Sequence, residues 1–224
     1  MKSGAFPVIV DLHTHLKHLD HYDMKRVWQE AVPARIAGED TLILKPEDCL
    51  VYLISHQTIS HGYVQKKWIK DIDLLIRHGA PTLNWQTVLQ RIRENAMEVP
   101  AYFIFEKSQK IFQTPIADFI LSSLQIKAAK GLQARLFRAM IVEEKYIPFV
   151  EYLLPVVVRP GIIPKLRFIC KSIFPSKETL KKRYQISHSV WIPLFYLWRM
   201  VSLAGQAFAG MFLSALKVFS KKAR

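Results

Sequence analysis

Residues 6–16 read FPVIVDLHTHL, a short apolar run closed by Asp11, His13 and His15. Val8, Ile9 and Val10 favour an extended chain. Side chains of a strand repeat every two residues, so Asp11, His13 and His15 share one face at its end. A carboxylate beside two imidazoles on one face is metal-ligand and phosphate-binding chemistry. What the strand serves is decided by the elements that follow it.

Those elements are mostly helices. Met24–Val32 has a helical pattern that Pro33 ends. ARIAGEDTLIL, residues 34–44, carries turn chemistry at Gly38-Glu39-Asp40 between two β-prone arms and predicts a small hairpin. Pro46 opens a helix through CLVYLISHQ, with Glu47 and Asp48 in the first turn, where carboxylates suit the positive helix end. A second helix is expected over about Tyr63–His78, with Gly79 and Pro81 as stops. Asn84 suits the N-cap of Trp85–Met97. Further helices are expected at Ala101–Gln113, Ile116–Leu124 and Ala128–Tyr146. VVVRPGIIP (156–164) interrupts the pattern with two prolines and a glycine and marks a boundary. The fold class is mainly α with a small β element.

The chain has 224 residues, a length that suits one domain with or without an appendage, and half of it is hydrophobic, enough for a packed core. Only 8 glycines are present, too few for a fold with many tight βα turns. Cys49 and Cys170 stand far apart among apolar neighbours and read as buried free thiols of a reducing compartment. Asp11 and His13 interrupt the first apolar run, which argues against a signal peptide. The net charge of +14 is unevenly spread. Residues 1–124 hold 14 Lys/Arg and 14 Asp/Glu, whereas residues 125–224 hold 18 Lys/Arg against Glu143, Glu144, Glu151 and Glu178. A neutral front is joined to a basic back suited to an anionic partner.

Two local patterns compete for the chemistry and lose. Asp11-x-His13-x-His15 resembles the opening strand of amidohydrolase-like metal hydrolases. Such barrels need further ligands from later strands, and helices follow here. The string Asp71-Ile72-Asp73 resembles a paired-carboxylate metal site. Inside the helical pattern WIKDIDLLIRHG, residues two apart point about 200° apart and cannot share metals. Asp71 is instead expected to pair with Lys67, one turn back on the same face.

A third pattern extends over roughly residues 8–200. It runs from Val10-Asp11-Leu12-His13 through Trp28, Leu44-x-Pro46-Glu47-Asp48 and His56-x4-His61 to Lys67-Trp68-x-x-Asp71 and Asn84-Trp85. It ends with Phe174-Pro175-Ser176-x-Glu178-x-Leu180-x-x-Arg183-Tyr184. In order and spacing it resembles the uncharacterised bacterial nucleotidyltransferase family, a polymerase-β-like palm followed by helices. The resemblance implies Mg2+-dependent transfer of a nucleotidyl group from a nucleoside triphosphate to an unknown acceptor. Two metals in such chemistry are held by three carboxylates. Asp11 falls on the third, where the family more often has Glu. His13, His56, His61, Lys67 and Asp71 become candidate substrate- or phosphate-binding residues. His56 and His61 diverge on a continuous helix, but a break at Ser60-His61-Gly62 would let His61 swing back beside His56.

The family's Asp-x-Asp strand lies upstream of the third carboxylate, and only ten residues precede Asp11. A strand–helix–strand unit needs about 30 residues. The expectation is therefore a truncated member, inactive alone, with a palm fragment encoded upstream as a possible partner. The expected organisation is a palm remnant over 1–45, a helical domain over 46–155 and a basic helical region over 156–224. Val190–Leu216 is nearly all apolar apart from Arg199 and a few small polar residues, and basic residues close the chain. It approaches the length of a membrane span, but the surrounding charge favours peripheral, salt-sensitive contact with an anionic membrane surface. The expected location is cytoplasmic, including the inner face of the membrane. The alternative readings are a non-catalytic basic binding module, or a metal-dependent hydrolase built on Asp11-x-His13-x-His15.

Overall fold

The computed structural model describes residues 16, 19, 22–61, 63–79, 82–128, 130–145, 147, 150–184, 189–202 and 205. The strand expected over 6–12, with Asp11, His13 and His15, lies outside the described residues, as does the apolar stretch from 206 onward. The described part is mainly α with one small antiparallel sheet.

Asp23 accepts hydrogen bonds from the N–H groups of Lys25 and Arg26 and caps α1 (Met24–Gln29). The helix stops before Val32 because Val32 and Pro33 already belong to a strand. That strand, β1 (Val32–Ile36), pairs with β2 (Glu39–Ile43) across a two-residue turn. Ala37 and Gly38 both have positive φ there, 52° and 90°. This is the geometry that matches strand twist in tight hairpins, and glycine reaches it without a Cβ clash.

Pro46 sits in the first turn of α2 (Pro46–Ile59), which is followed by α3 (Lys66–Gly79). Asn84 Oδ1 accepts the N–H of Thr87 and caps α4 (Trp85–Glu94), which ends earlier than Met97. α5 (Glu98–Phe112) starts ahead of the expected Ala101, because Pro100 falls in a first turn where no N–H is needed. α6 (Asp118–Ala128) comes next. The single helix expected over 128–146 is broken at Gly131; α7 (Leu132–Phe137) passes into a π turn over Arg138–Val142. α8 (Val150–Val158) runs through Pro155, which confines the expected interruption to 159–161. α9 (Ile162–Ile173), α10 (Lys177–Tyr184) and α11 (192–202) complete the described chain.

α5 is the central helix. Phe103, Ile104 and Phe105 are fully buried, and α2, α3, α6 and α7 pack around it. Ile54, Ile72, Ile76 and Ile92 are likewise fully buried. One apolar cluster takes in residues from Leu19 to Val158; past Val158, Leu180 and Ile192 are the buried apolar side chains among the described residues. Neither cysteine is fully buried: Cys49 is half-buried and Cys170, on the outer side of α9, is exposed, which corrects the expectation of two buried thiols.

Asp73, not Asp71, is the carboxylate that α3 turns inward. Fully buried, it accepts hydrogen bonds from Lys70 Nζ (3.0 Å), Arg77 Nε (2.7 Å) and Thr114 Oγ1 (2.8 Å). Arg77 also donates to the carbonyls of Phe112 and Gln113, and so clamps α3 onto the end of α5. Burial raises the Asp73 pKa, but the hydrogen bonds from Lys70, Thr114 and Arg77 outweigh it and hold the carboxyl below its ordinary value. Its stabilising contribution is therefore full above the unfolded carboxyl value of about pH 4 and fades as pH falls through the lower folded value. Asp73→Ala is expected to cost about 3 kcal/mol in urea unfolding at neutral pH. Asp73→Asn should also flatten the loss of stability on acidification. Unfolding midpoints equal to those of the original chain would rule out the clamp.

Candidate functional site

α2 ends at Ile59, and the Ser60 N–H bonds back to the His56 carbonyl. The chain then reverses and sets His61 Nε2 3.3 Å from His56 Nε2. His61 stacks on Trp68 of α3, with ring centroids 4.6 Å apart and 29° between planes. Trp68 is held from behind, since its carbonyl accepts the side-chain amide of Gln57 at 2.8 Å. Tyr52 lies 5.7 Å from His56 and Tyr63 lies 5.4 Å from Trp68. The result is a half-exposed aromatic ledge with two imidazoles at its centre. Such a pair can donate to an anionic oxygen when one ring is protonated.

Lys67 and Asp71 flank this ledge separately. Both are exposed, and the ion pair expected between them is absent from the described contacts. Lys67 Nζ instead lies 5.9 Å from the centroid of the Trp68 ring. Asp71 points to solvent and Asp73 inward, so the helix separates the two carboxylates as its geometry requires.

A second concavity, about 820 Å³, opens between the segment leading into α1 and α9. Leu16, Leu19, Tyr22 and Met24 form one wall, and Arg159, Arg167, Phe168, Lys171 and Ser172 form much of the other. Three cations line it, and no carboxylate does among the described residues. Arg159 is oriented in advance: its guanidinium lies 3.8 Å from the centroid of the Phe168 ring and donates to the Pro155 carbonyl. Nothing in the sequence pattern brings 159–172 opposite 16–24. The cue available was only the excess of positive charge in the back half.

Behind the cleft, Tyr22 donates to Asp48 Oδ1 at 2.6 Å. Asp48 is buried, as is Arg91, whose Nε lies 3.4 Å from the same oxygen; Arg26 Nη2 lies 3.8 Å from it. Burial, then the hydrogen bond to Asp48, pushes the Tyr22 phenol far up, so it stays a donor. Burial and the Asp48 charge also raise the Cys49 thiol, which is therefore not a thiolate nucleophile at neutral pH. Glu47 accepts the Asn84 N–H at 2.8 Å, joining α2 to the start of α4.

Residues 3–113 match the model of a family described as uncharacterised nucleotidyltransferase. The front part of the chain is thus similar to that family. No curated protein and no solved structure matches the chain. The matched span contains Asp11, the hairpin, α1–α5 and the histidine ledge, and it stops before the cationic wall of the cleft. The family implies a nucleoside triphosphate substrate and, in general, a divalent metal. Among the described residues no group of three or more His, Cys, Asp or Glu side chains is placed to hold a metal ion. Asp73 has its oxygens committed to Lys70, Arg77 and Thr114. The described residues thus do not fit a magnesium site, and Asp11 lies outside them.

The cleft's cations make a direct expectation for anion binding. Titrated calorimetrically with inorganic tripolyphosphate, the full chain should bind it, and Arg167→Ala combined with Lys171→Ala should weaken binding about tenfold or more. Both side chains are exposed or at the cleft rim, so the melting temperature should not move. An unchanged affinity would remove the cleft as the anion site.

Proposed function

We propose that the chain serves nucleotidyl transfer, binding a nucleoside triphosphate with its phosphates in the cleft between residues 16–24 and α9. The observation that carries this reading is the family match over 3–113, which takes in Asp11 five residues ahead of the cleft wall. In such a transfer an acceptor oxygen forms a bond to the α-phosphorus while the bond to pyrophosphate breaks. Guanidinium and ammonium groups that neutralise the leaving phosphates assist that displacement. Arg159, Arg167 and Lys171 would do this work; the cleft's apolar side, with Leu16, Leu19 and Met24, would face the base or sugar.

Asp11 is the proposed magnesium carboxylate, and His13, two residues on in the sequence, is proposed with it as a phosphate ligand. His56 and His61 would bind the acceptor or a phosphate oxygen, with Lys67 nearby and Asp71 at the rim of the ledge. Two-metal chemistry needs further carboxylates. The only Asp-x-Asp in the 224 residues is Asp71-x-Asp73, and α3 splits that pair. We therefore expect the chain alone to bind nucleotide without turning it over, and to need a palm element carrying the other two. The hairpin supports this: Val32, Ile36 and Ile43 share one of its faces and are exposed, and Trp28 of α1 is exposed as well. Paired palm strands would cover such a surface.

Equilibrium binding of a fluorescent ATP analogue to the full chain tests the proposal. Affinity should rise at least about fivefold with magnesium, and Asp11→Asn should abolish that rise. No pyrophosphate should be released unless a segment with an Asp-x-Asp strand is co-expressed. Magnesium-dependent transfer by the chain alone, or binding indifferent to Asp11, would overturn it.

A further inference from the structure

α9 and α11 turn their apolar faces outward. On α9, Ile162, Ile163, Leu166 and Ile169 lie along one face at helical spacing and are 37–75 % exposed, and the helix has no buried residue. On α11, Leu194, Leu197, Trp198 and Val201 recur at i, i+3, i+4 and i+7 and are 55–65 % exposed. A helix packed on a globular body buries that stripe. Here the opposite faces carry the contacts. Phe168, Lys171 and Ser172 of α9 line the cleft. Arg199 of α11 donates to the Ser172 carbonyl and to the Tyr184 hydroxyl, and Tyr196 donates to the Pro175 carbonyl. The outward stripes are therefore fixed in place by polar bonds behind them. By contrast, over residues 46–128 the exposed large apolar side chains are only Tyr63, Leu74 and Phe119 among those described.

Charge selects the occupant. Residues 156–224 hold 13 Lys/Arg against Glu178 alone. A second copy of the chain would bring like charge to like, which opposes association, whereas an anionic surface is attracted. Trp191 and Trp198 are both more than half exposed, and tryptophan favours the boundary between headgroups and acyl chains. No helix among the described residues is long and apolar enough to cross a membrane. We infer that α9 and α11 form a monotopic docking surface for an anionic phospholipid bilayer, their apolar stripes seated at the acyl boundary and the positive charge of residues 156–224 drawing that face to the headgroups. This stands independently of the nucleotidyl-transfer reading.

Flotation of the purified full chain with vesicles tests it, using phosphatidylcholine alone and phosphatidylcholine mixed with phosphatidylglycerol. The chain should float with the mixed vesicles about tenfold more strongly than with the neutral ones, with a blue shift of tryptophan emission. Raising salt from about 0.1 M to about 1 M shortens the Debye length from about 10 Å to about 3 Å and should release most of it. Leu166→Glu with Trp198→Glu should cut binding at least about tenfold, because each removes an apolar anchor and adds repelled charge. Ile162→Lys, which keeps the positive charge, should weaken binding less and serves if the double variant misfolds by circular dichroism. Equal binding to both vesicle types, no vesicle binding, or undiminished binding by a folded double variant would overturn the inference. So would light scattering that shows a dimer converted to monomer by the same substitutions.

Discussion

Asp48 holds the front of the molecule to its helical body. It is buried in the first turn of α2, takes the Tyr22 hydroxyl at 2.6 Å and faces Arg91 and Arg26 at ion-pair distance. A buried carboxylate is tolerated only when compensated, and the amino end of α2 adds its own partial positive charge. The cations are compensated in turn: Glu30 lies 3.8 Å from Arg91, and Glu94 lies 3.3 Å from it. Tyr22 is thereby fixed in the wall of the cleft, three residues beyond buried Leu19. Without Asp48 the segment that follows Asp11 would have lost its polar anchor, and the cleft one of its walls.

Local chemistry read from the sequence gives the helix borders that short-range rules govern. Pro46 opening α2, Gly79 closing α3 and Asn84 capping α4 each act within one turn, so neighbouring residues suffice to reveal them. The hairpin was legible too, although its turn falls at Ala37-Gly38 rather than around Glu39. What escaped depends on distant partners. Whether Asp71 or Asp73 is buried is settled by Thr114, 41 residues away, and by the end of α5 that Arg77 grips. The cationic wall of the cleft becomes a wall only because α8 and α9 fold back onto residues 16–24. The approach of His56 and His61 lies between these cases: it follows from a helix stop at Ser60, while the stacking on Trp68 that holds it needs α3.

The chain divides chemically where its charge divides. The front, neutral in sum, carries the family match, Asp11 and the histidine ledge; the back supplies all of the net charge, the cation-lined side of the cleft and the outward apolar helices. A shared nucleotide would lie across that seam, its polyphosphate neutralised by residues past the matched span. On this account the basic region has two surfaces with different tasks, one face of α9 toward substrate and the other toward lipid.

The most direct measurement of where nucleotide sits is photo-crosslinking of the full chain with an azido-ATP analogue, followed by peptide mapping. The account predicts labelled peptides from 16–30 and 159–173, with labelling suppressed by excess unmodified ATP. Suppressible labelling confined to the histidine ledge, or to peptides touching neither wall of the cleft, would contradict it.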